Sequence, residues 1–285
     1  MLNEKLTSNP MSKLNLIYQK DYISAQDKKS ILDYLSTLHP IWENRFSVSN
    51  PPPQGEPNRS LLRPVYWLGN WQFACLDYYH PPKGIHNRCV QGEKYPAVLQ
   101  KIISDVEKMV RDKFSEKDIP HDWHLNTCLI NYYGDKIETD EITQQIKKTD
   151  MARVGEHKDF EPGPVASISF GEKAMFQFVK SSGKSQKSDV VLQQWLDDSS
   201  LQIFGGDKFK KQLFHRVQRV ENKGQIFKYT NTTHFETRRI NFTFRYVPRD
   251  HIQPYFRLPE NLRADINNYV TQLSTKSKYW KEQLA

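Results

Sequence analysis

Cysteine is scarce. The chain of 285 residues has Cys75, Cys89 and Cys128 alone, too few and too scattered for a disulfide framework or a four-ligand zinc module. A reducing, intracellular compartment is therefore expected. Long apolar runs are missing as well: residues 1–20 hold none, and no later window approaches the roughly 20 residues of a bilayer span. The chain is expected to be soluble and unsecreted, cytoplasmic or, in a eukaryote, nuclear, with no membrane partner. No segment repeats at a fixed period, which argues against a solenoid and for one catalytic domain.

Aromatic side chains are plentiful, with 15 Phe, 14 Tyr and 6 Trp, so a sizeable core can form and a disordered chain is excluded. The net charge of +8 and a pI near 9.2 favour an anionic partner such as nucleic acid. No obligate protein partner is evident.

Ser24 with Asp27 reads as a helix cap, followed by Ile31, Leu32, Leu35 and Leu38 at helical spacing until Pro40. A proline-rich loop, 47–58, precedes an aromatic segment, 66–79, that suits strand or lid. Pro96 then opens a helix whose stripe is Leu99, Ile102, Ile103, Val106, Met109, Val110 and Phe114. From 128 to 247 the period changes to two, and the Lys/Ser-rich stretch 180–188 reads as a hairpin loop. A last helix near Pro259 carries Leu262, Ile266, Val270 and Leu273. Helices around many short strands predict an α+β fold with a β-sandwich or jelly-roll centre.

His157-Lys158-Asp159 would put an imidazole and a carboxylate on one face of a strand, and His215 supplies a second imidazole in a β-prone segment. Two His and one carboxylate form a facial triad that leaves adjacent metal positions open, a set suited to Fe(II). In 239–245, alternation puts Arg239, Asn241, Thr243 and Arg245 on one face and Ile240, Phe242 and Phe244 on the other. Two guanidinium groups on one face call for an anion, and a dicarboxylate satisfies both. Asn131 and Tyr133 share a face by the same logic and can add neutral hydrogen bonds.

These segments, with Val165-x-Ser167-Ile168-Ser169-Phe170-Gly171, Phe176-Gln177-Phe178 and Phe204-Gly205-Gly206, follow in the order found in the AlkB group of iron(II)- and 2-oxoglutarate-dependent dioxygenases, which the chain resembles over about 120–247. The resemblance implies a double-stranded β-helix (jelly-roll) core flanked by helices. It implies Fe(II) on His157, Asp159 and His215, and 2-oxoglutarate on Asn131, Tyr133, Arg239, Asn241 and Arg245, with O2 as the second cosubstrate. Glu161 matches an acidic position that contacts the substrate base. Trp67, Trp71, Tyr78 and Tyr79 fall in the family's nucleotide-recognition lid, where Trp71 and Tyr78 would stack on an extruded base.

The expected layout is an N-terminal helical extension with a proline-rich loop (1–60), a lid-like aromatic segment and supporting helix (61–119), the catalytic core (120–248) and a C-terminal helical extension (249–285). The implied reaction is oxidative dealkylation of N-alkylated bases in DNA or RNA, releasing succinate, CO2 and formaldehyde. Between Tyr133 and His157 the chain departs from the pattern with an insertion, 136–153, whose Ile142 and Ile146 predict a short exposed helix or a loop gating the substrate. Two alternatives stay open: the same chemistry on a protein side chain or small molecule, with the inserted loop and lid shaping a different pocket, and a noncatalytic jelly roll that binds nucleic acid through its basic surface.

Overall fold

Strict alternation along the long strands decides how the protein is layered. The computed structural model describes residues 15–45, 59–60, 63–72, 89–180 and 188–285. Strands are numbered in chain order. The larger sheet contains β1 (Leu16–Gln19), β4 (Val65–Leu68), β7 (Thr127–Thr139), β8 (Ile146–Asp150), β10 (Val165–Gly171), β13 (Ser200–Phe204) and β15 (Phe235–Arg245). Its order is β1-β13-β10-β15-β7-β4, with β8 paired to the far end of β7. The smaller sheet, β9 (Val154–His157), β11 (Ala174–Lys180), β12 (Asp189–Leu196) and β14 (Phe214–Gln218), has the order β12-β11-β14-β9. Two short pairings complete the strands: β2 (Asn44–Arg45) with β3 (Arg59–Ser60), and β5 (Asn70–Gln72) with β6 (Cys89–Gln91) and β16 (Ile252–Gln253).

Neighbours within both main sheets run antiparallel. This is the expected double-stranded β-helix, and each face has its own chemistry. Ile130, Tyr132, Ile168, Phe170, Ile240, Phe242 and Phe244 point outward into the principal core. Their alternate neighbours Asn131, Tyr133, Ser167, Arg239, Asn241 and Arg245 line a cavity between the sheets. Polar residues can face inward only because an apolar layer behind them, covered by helices, anchors the sheet.

That cover comes from α1 (Ala25–Leu35), α2 (Ala97–Lys113), α3 (Glu260–Ser274) and α4 (Lys278–Leu284). The Ser24 side chain caps α1 by accepting from Asp27 N at 3.1 Å, as its sequence predicts, but the helix stops at Leu35 and Leu38 is buried beyond its end. Pro96 is the N-cap of α2, which buries Leu99, Ile102, Ile103, Val106 and Val110. Ile266, Val270 and Leu273 of α3 join the same core, together with Trp280 of α4. A second apolar cluster, including Phe176, Phe178, Phe204 and Val217, fills the space beside the cavity.

Insertion 136–153 forms neither helix nor irregular loop. β7 runs on to Thr139 and returns as β8, a hairpin with Asp135 opposite Asp150. Asp140 Oδ1 accepts from the backbone N–H groups of Ile142 (3.0 Å) and Thr143 (2.7 Å), closing the turn that a helix would have had to cross. Ile142 at the tip is 93 % exposed, so the apolar spacing that suggested a helix face has no surface to pack against. Among the described residues, no helix is long and apolar enough to cross a membrane.

Candidate metal centre

Antiparallel pairing of β9 with β14 sets His157 directly opposite His215. Their rings lie 4.2 Å apart between centroids. Strand β9 ends at His157, so Asp159 lies in the following loop and not, as expected, on the same strand. The donor atoms of His157, Asp159 and His215 nevertheless fall within 4.8 Å of one another. Among the described residues, this is the group of His, Cys, Asp and Glu side chains close enough to hold one metal ion.

The two imidazoles are held differently. His157 Nδ1 lies 2.9 Å from the Gly155 carbonyl, to which it donates, and this tautomer leaves the Nε2 lone pair for a metal. His215 is fixed by aromatic packing: Phe176 stacks on it at 5.3 Å and 17°, with Phe204 at 5.2 Å. Burial pushes both imidazoles below their ordinary range, which favours the neutral form a metal requires. Burial alone would raise the Asp159 carboxyl, but Arg245, then His215 and Lys210, hold it well below the usual carboxylate range.

The adjoining cavity has a volume of about 230 Å³. Its floor is made by cross-strand pairs of β15 and β7, Arg239 with Tyr133 and Asn241 with Asn131. Most of the floor is already satisfied internally. Asn241 Nδ2 donates to Ser167 Oγ (2.8 Å) and to the Ile168 carbonyl (3.0 Å), and Thr243 Oγ1 donates to Asn241 Oδ1 (2.9 Å). Arg239 is the exception: Nη2 donates to Ser169 Oγ at 3.0 Å, while Nε and Nη1 are buried without a hydrogen-bond partner. A buried guanidinium with idle donors on two of its edges fits a carboxylate ligand, which would bring a charged acceptor to one of those edges. The donor set likewise fits a divalent iron, with two neutral nitrogens and one ionised oxygen.

Of the residues expected on the substrate side, Tyr78 lies outside the described residues, as does Tyr79. Trp71 is not at the cavity. It is 1 % exposed in the principal core, and its indole N–H donates to Glu43, which also accepts from Trp67 at 2.8 Å. An aromatic ring with a polar tip is well served by such a buried acceptor, and this pair is core structure rather than a stacking platform. Glu161 does not line the donor cavity; it is 4 % exposed, with Oε2 3.5 Å from Arg245 Nε. It lines a separate cavity with Lys210, whose buried ammonium is pushed below its ordinary range by desolvation, partly offset by Asp159 and Glu161. Lys210 and Arg63, a further cation on the wall of the donor cavity, were not singled out from sequence. The one signal for Arg63 is a charge set among Leu61, Leu62, Pro64 and Val65.

A double-stranded β-helix with His-x-Asp and a distal His beside an arginine-floored cavity defines a class of iron-dependent oxygenases that use an oxo acid. The model of the 2OG-Fe(II) oxygenase superfamily matches residues 15–245, and the chain belongs to that superfamily. It is a 2-oxoglutarate-dependent dioxygenase, with Fe(II), 2-oxoglutarate and O2 as its cofactor and cosubstrates. The solved structure of OsALKBH1 is similar at 20 % identity, with 82 % of this chain and 98 % of that one covered and a TM-score of 0.49. The structure of YcfD, a ribosomal oxygenase from Escherichia coli in complex with cobalt and succinic acid, is similar at 9 % identity over 65 % of this chain and 46 % of that one, with a TM-score of 0.26. No curated protein matches the chain.

Proposed function

We propose that this oxygenase removes alkyl groups from N-alkylated bases in DNA or RNA, with Fe(II) held by His157, Asp159 and His215. In this reading Arg239 binds a carboxylate of 2-oxoglutarate, and Asn131, Tyr133, Asn241 and Arg245 complete its site. The observation that carries the site assignment is the convergence of three donors within 4.8 Å beside the unsatisfied Arg239 guanidinium. The substrate assignment is supported by the order of AlkB-like motifs over 120–247 and by the net charge of +8, which favours a polyanion.

When bound, the iron, oxo acid and O2 supply the oxidation of a substrate C–H bond to C–OH, coupled to loss of CO2 from the oxo acid and formation of succinate. The protein's own groups prepare the site for that chemistry. Arg245 keeps Asp159 ionised, the Gly155 carbonyl fixes the His157 tautomer, and the aromatic shell around His215 keeps bulk water from that side. On an N-methyl substrate, the hydroxylated carbon then leaves as formaldehyde and the base nitrogen regains its proton.

A second reading, the same chemistry on a protein side chain or small molecule, is favoured by one pair of observations. Trp71 and Glu161, expected to contact a base, do not line the donor cavity. The two readings separate on anaerobic Fe(II) reconstitution followed by oxygen, 2-oxoglutarate and a panel of N-methylated single-stranded oligonucleotides, with His157→Ala as control. Demethylated base and formaldehyde from the wild type alone support the first; succinate without demethylation supports the second. No succinate and no iron binding would remove both.

A further inference from the structure

The lead-in to β4 brings a charged side chain to a place where charge is costly. β4 pairs with β7 in the register Val65 to Asn131, and the pairing carries on outward because Tyr132 N donates to the Pro64 carbonyl at 3.1 Å. Arg63 thereby arrives beside Tyr133, its guanidinium carbon 4.6 Å from the ring centroid, while that of Arg239 lies 4.7 Å from the same centroid. Arg63 is 9 % exposed. Its Nη2 donates to the Arg153 carbonyl at 2.6 Å, and its Nε is buried without a partner.

Three guanidinium groups, Arg63, Arg239 and Arg245, line the cavity, against one carboxylate, Asp159. Arg245 and Asp159 are engaged with each other, and among the described residues neither Arg63 nor Arg239 forms an ion pair within 4.0 Å. Loading does not change the balance, because the two charges of Fe(II) are matched by the two of 2-oxoglutarate. A buried guanidinium held only by a backbone carbonyl and an aromatic face is poorly compensated until an oxyanion arrives.

We propose that Arg63 is a binding residue for an oxyanion in this cavity, either the distal carboxylate of 2-oxoglutarate, shared with Arg239, or an oxyanion of the substrate. The inference rests on the cavity being the 2-oxoglutarate site, and the test reads that assignment separately through Arg239. Zn(II)-loaded full-length protein is titrated calorimetrically with 2-oxoglutarate, with 2-oxobutyrate, which lacks the distal carboxylate, and with inorganic phosphate in the presence of saturating 2-oxoglutarate. Wild type is compared with Arg63→Gln, Arg63→Lys and Arg239→Gln.

Arg63→Gln is expected to raise the Kd for 2-oxoglutarate about tenfold or more, the scale of one lost charged hydrogen bond. Arg63→Lys recovers part of the loss, and 2-oxobutyrate binds both variants as it binds the wild type, which shows the site intact. Unchanged 2-oxoglutarate binding with loss of phosphate binding assigns Arg63 to the substrate's oxyanion instead. Equal weakening of 2-oxoglutarate and 2-oxobutyrate, or no change with any ligand, overturns the proposal. If Arg239→Gln also leaves 2-oxoglutarate binding untouched, the cavity assignment fails on its own account, whatever Arg63 does.

Discussion

Arg245 directs both Nε, at 2.9 Å, and Nη2, at 2.8 Å, to a single oxygen of Asp159, Oδ1, while Oδ2 faces His215 Nε2 at 3.5 Å. The carboxylate is thus divided, one oxygen tied to the sheet and the other presented toward the imidazoles. A second-layer cation in this position orients a ligand and keeps it ionised.

Removing that cation should therefore show first in metal affinity. Arg245→Gln is expected to weaken Fe(II) or Zn(II) binding about 10- to 100-fold, read by competition with a chromogenic chelator. An unchanged metal Kd would mean that the ion pair does not prepare Asp159.

The imidazoles make a pH prediction whose sign can be worked out. Burial lowers the folded pKa of His157 and His215 below the ordinary value of 6.5. Their contribution to stability is then complete above about pH 6.5 and is lost as the pH falls toward the folded values. Asp159, held below 3.8, contributes above its unfolded pKa and loses that contribution only in stronger acid. As the pH falls below about 6.5, metal-free protein should lose thermal stability, and His215→Gln should flatten that slope. A variant with the wild-type slope would assign the acid sensitivity to other groups.

Arg238 is a different kind of arginine from its neighbour in sequence. It is buried, with Nη1 2.5 Å from Asp135 and Nε 2.8 Å from Glu172, in a network that Lys223 and Asp150 extend. Arg238→Ala leaves Asp135 with Lys223 and Glu172 with the Gly224 N–H, and a loss of about 1.5–3 kcal/mol of unfolding free energy, the scale of a lost charged hydrogen bond, is expected. Urea unfolding measures it; a loss below about 1 kcal/mol would show that the network is dispensable.

Trp71→Ala should likewise act on the fold and not on ligand binding. Truncating a buried aromatic side chain costs about 3–5 kcal/mol, and the Kd for a single-stranded oligonucleotide should not move under conditions where the variant is folded. A selective loss of oligonucleotide binding with full stability would return Trp71 to the lid role that its sequence position suggests.

The readable parts of the sequence were those whose signal is local. Alternation in 239–245 separates Ile240, Phe242 and Phe244 from Arg239, Asn241 and Arg245 within a few residues, and the fold obeys it because one face meets helices and the other a cavity. The triad was legible because metal chemistry admits few side chains. What escaped depends on register or on partners far along the chain. Arg63 reaches the cavity through the pairing of β4 with β7, and Trp71 is claimed by Glu43. Arg245, read as a second carboxylate binder, spends two donors on Asp159, a contact that no spacing rule reveals. The hairpin at 136–153 was misread because two isoleucines mimic a helix stripe, whereas Asp140 and its backbone hydrogen bonds set the turn.

His157 belongs to the smaller sheet's last strand, β9, four residues long and paired irregularly with β14. A metal joined to both His157 and His215 would act as a rivet through that seam, fastening a short outer strand to its neighbour in the sheet. Loading and the closure of the sheet edge then become one equilibrium. Chelation would loosen β9 and the loop that carries Asp159 together, so that protease sensitivity at this seam reports metal occupancy without any turnover being measured.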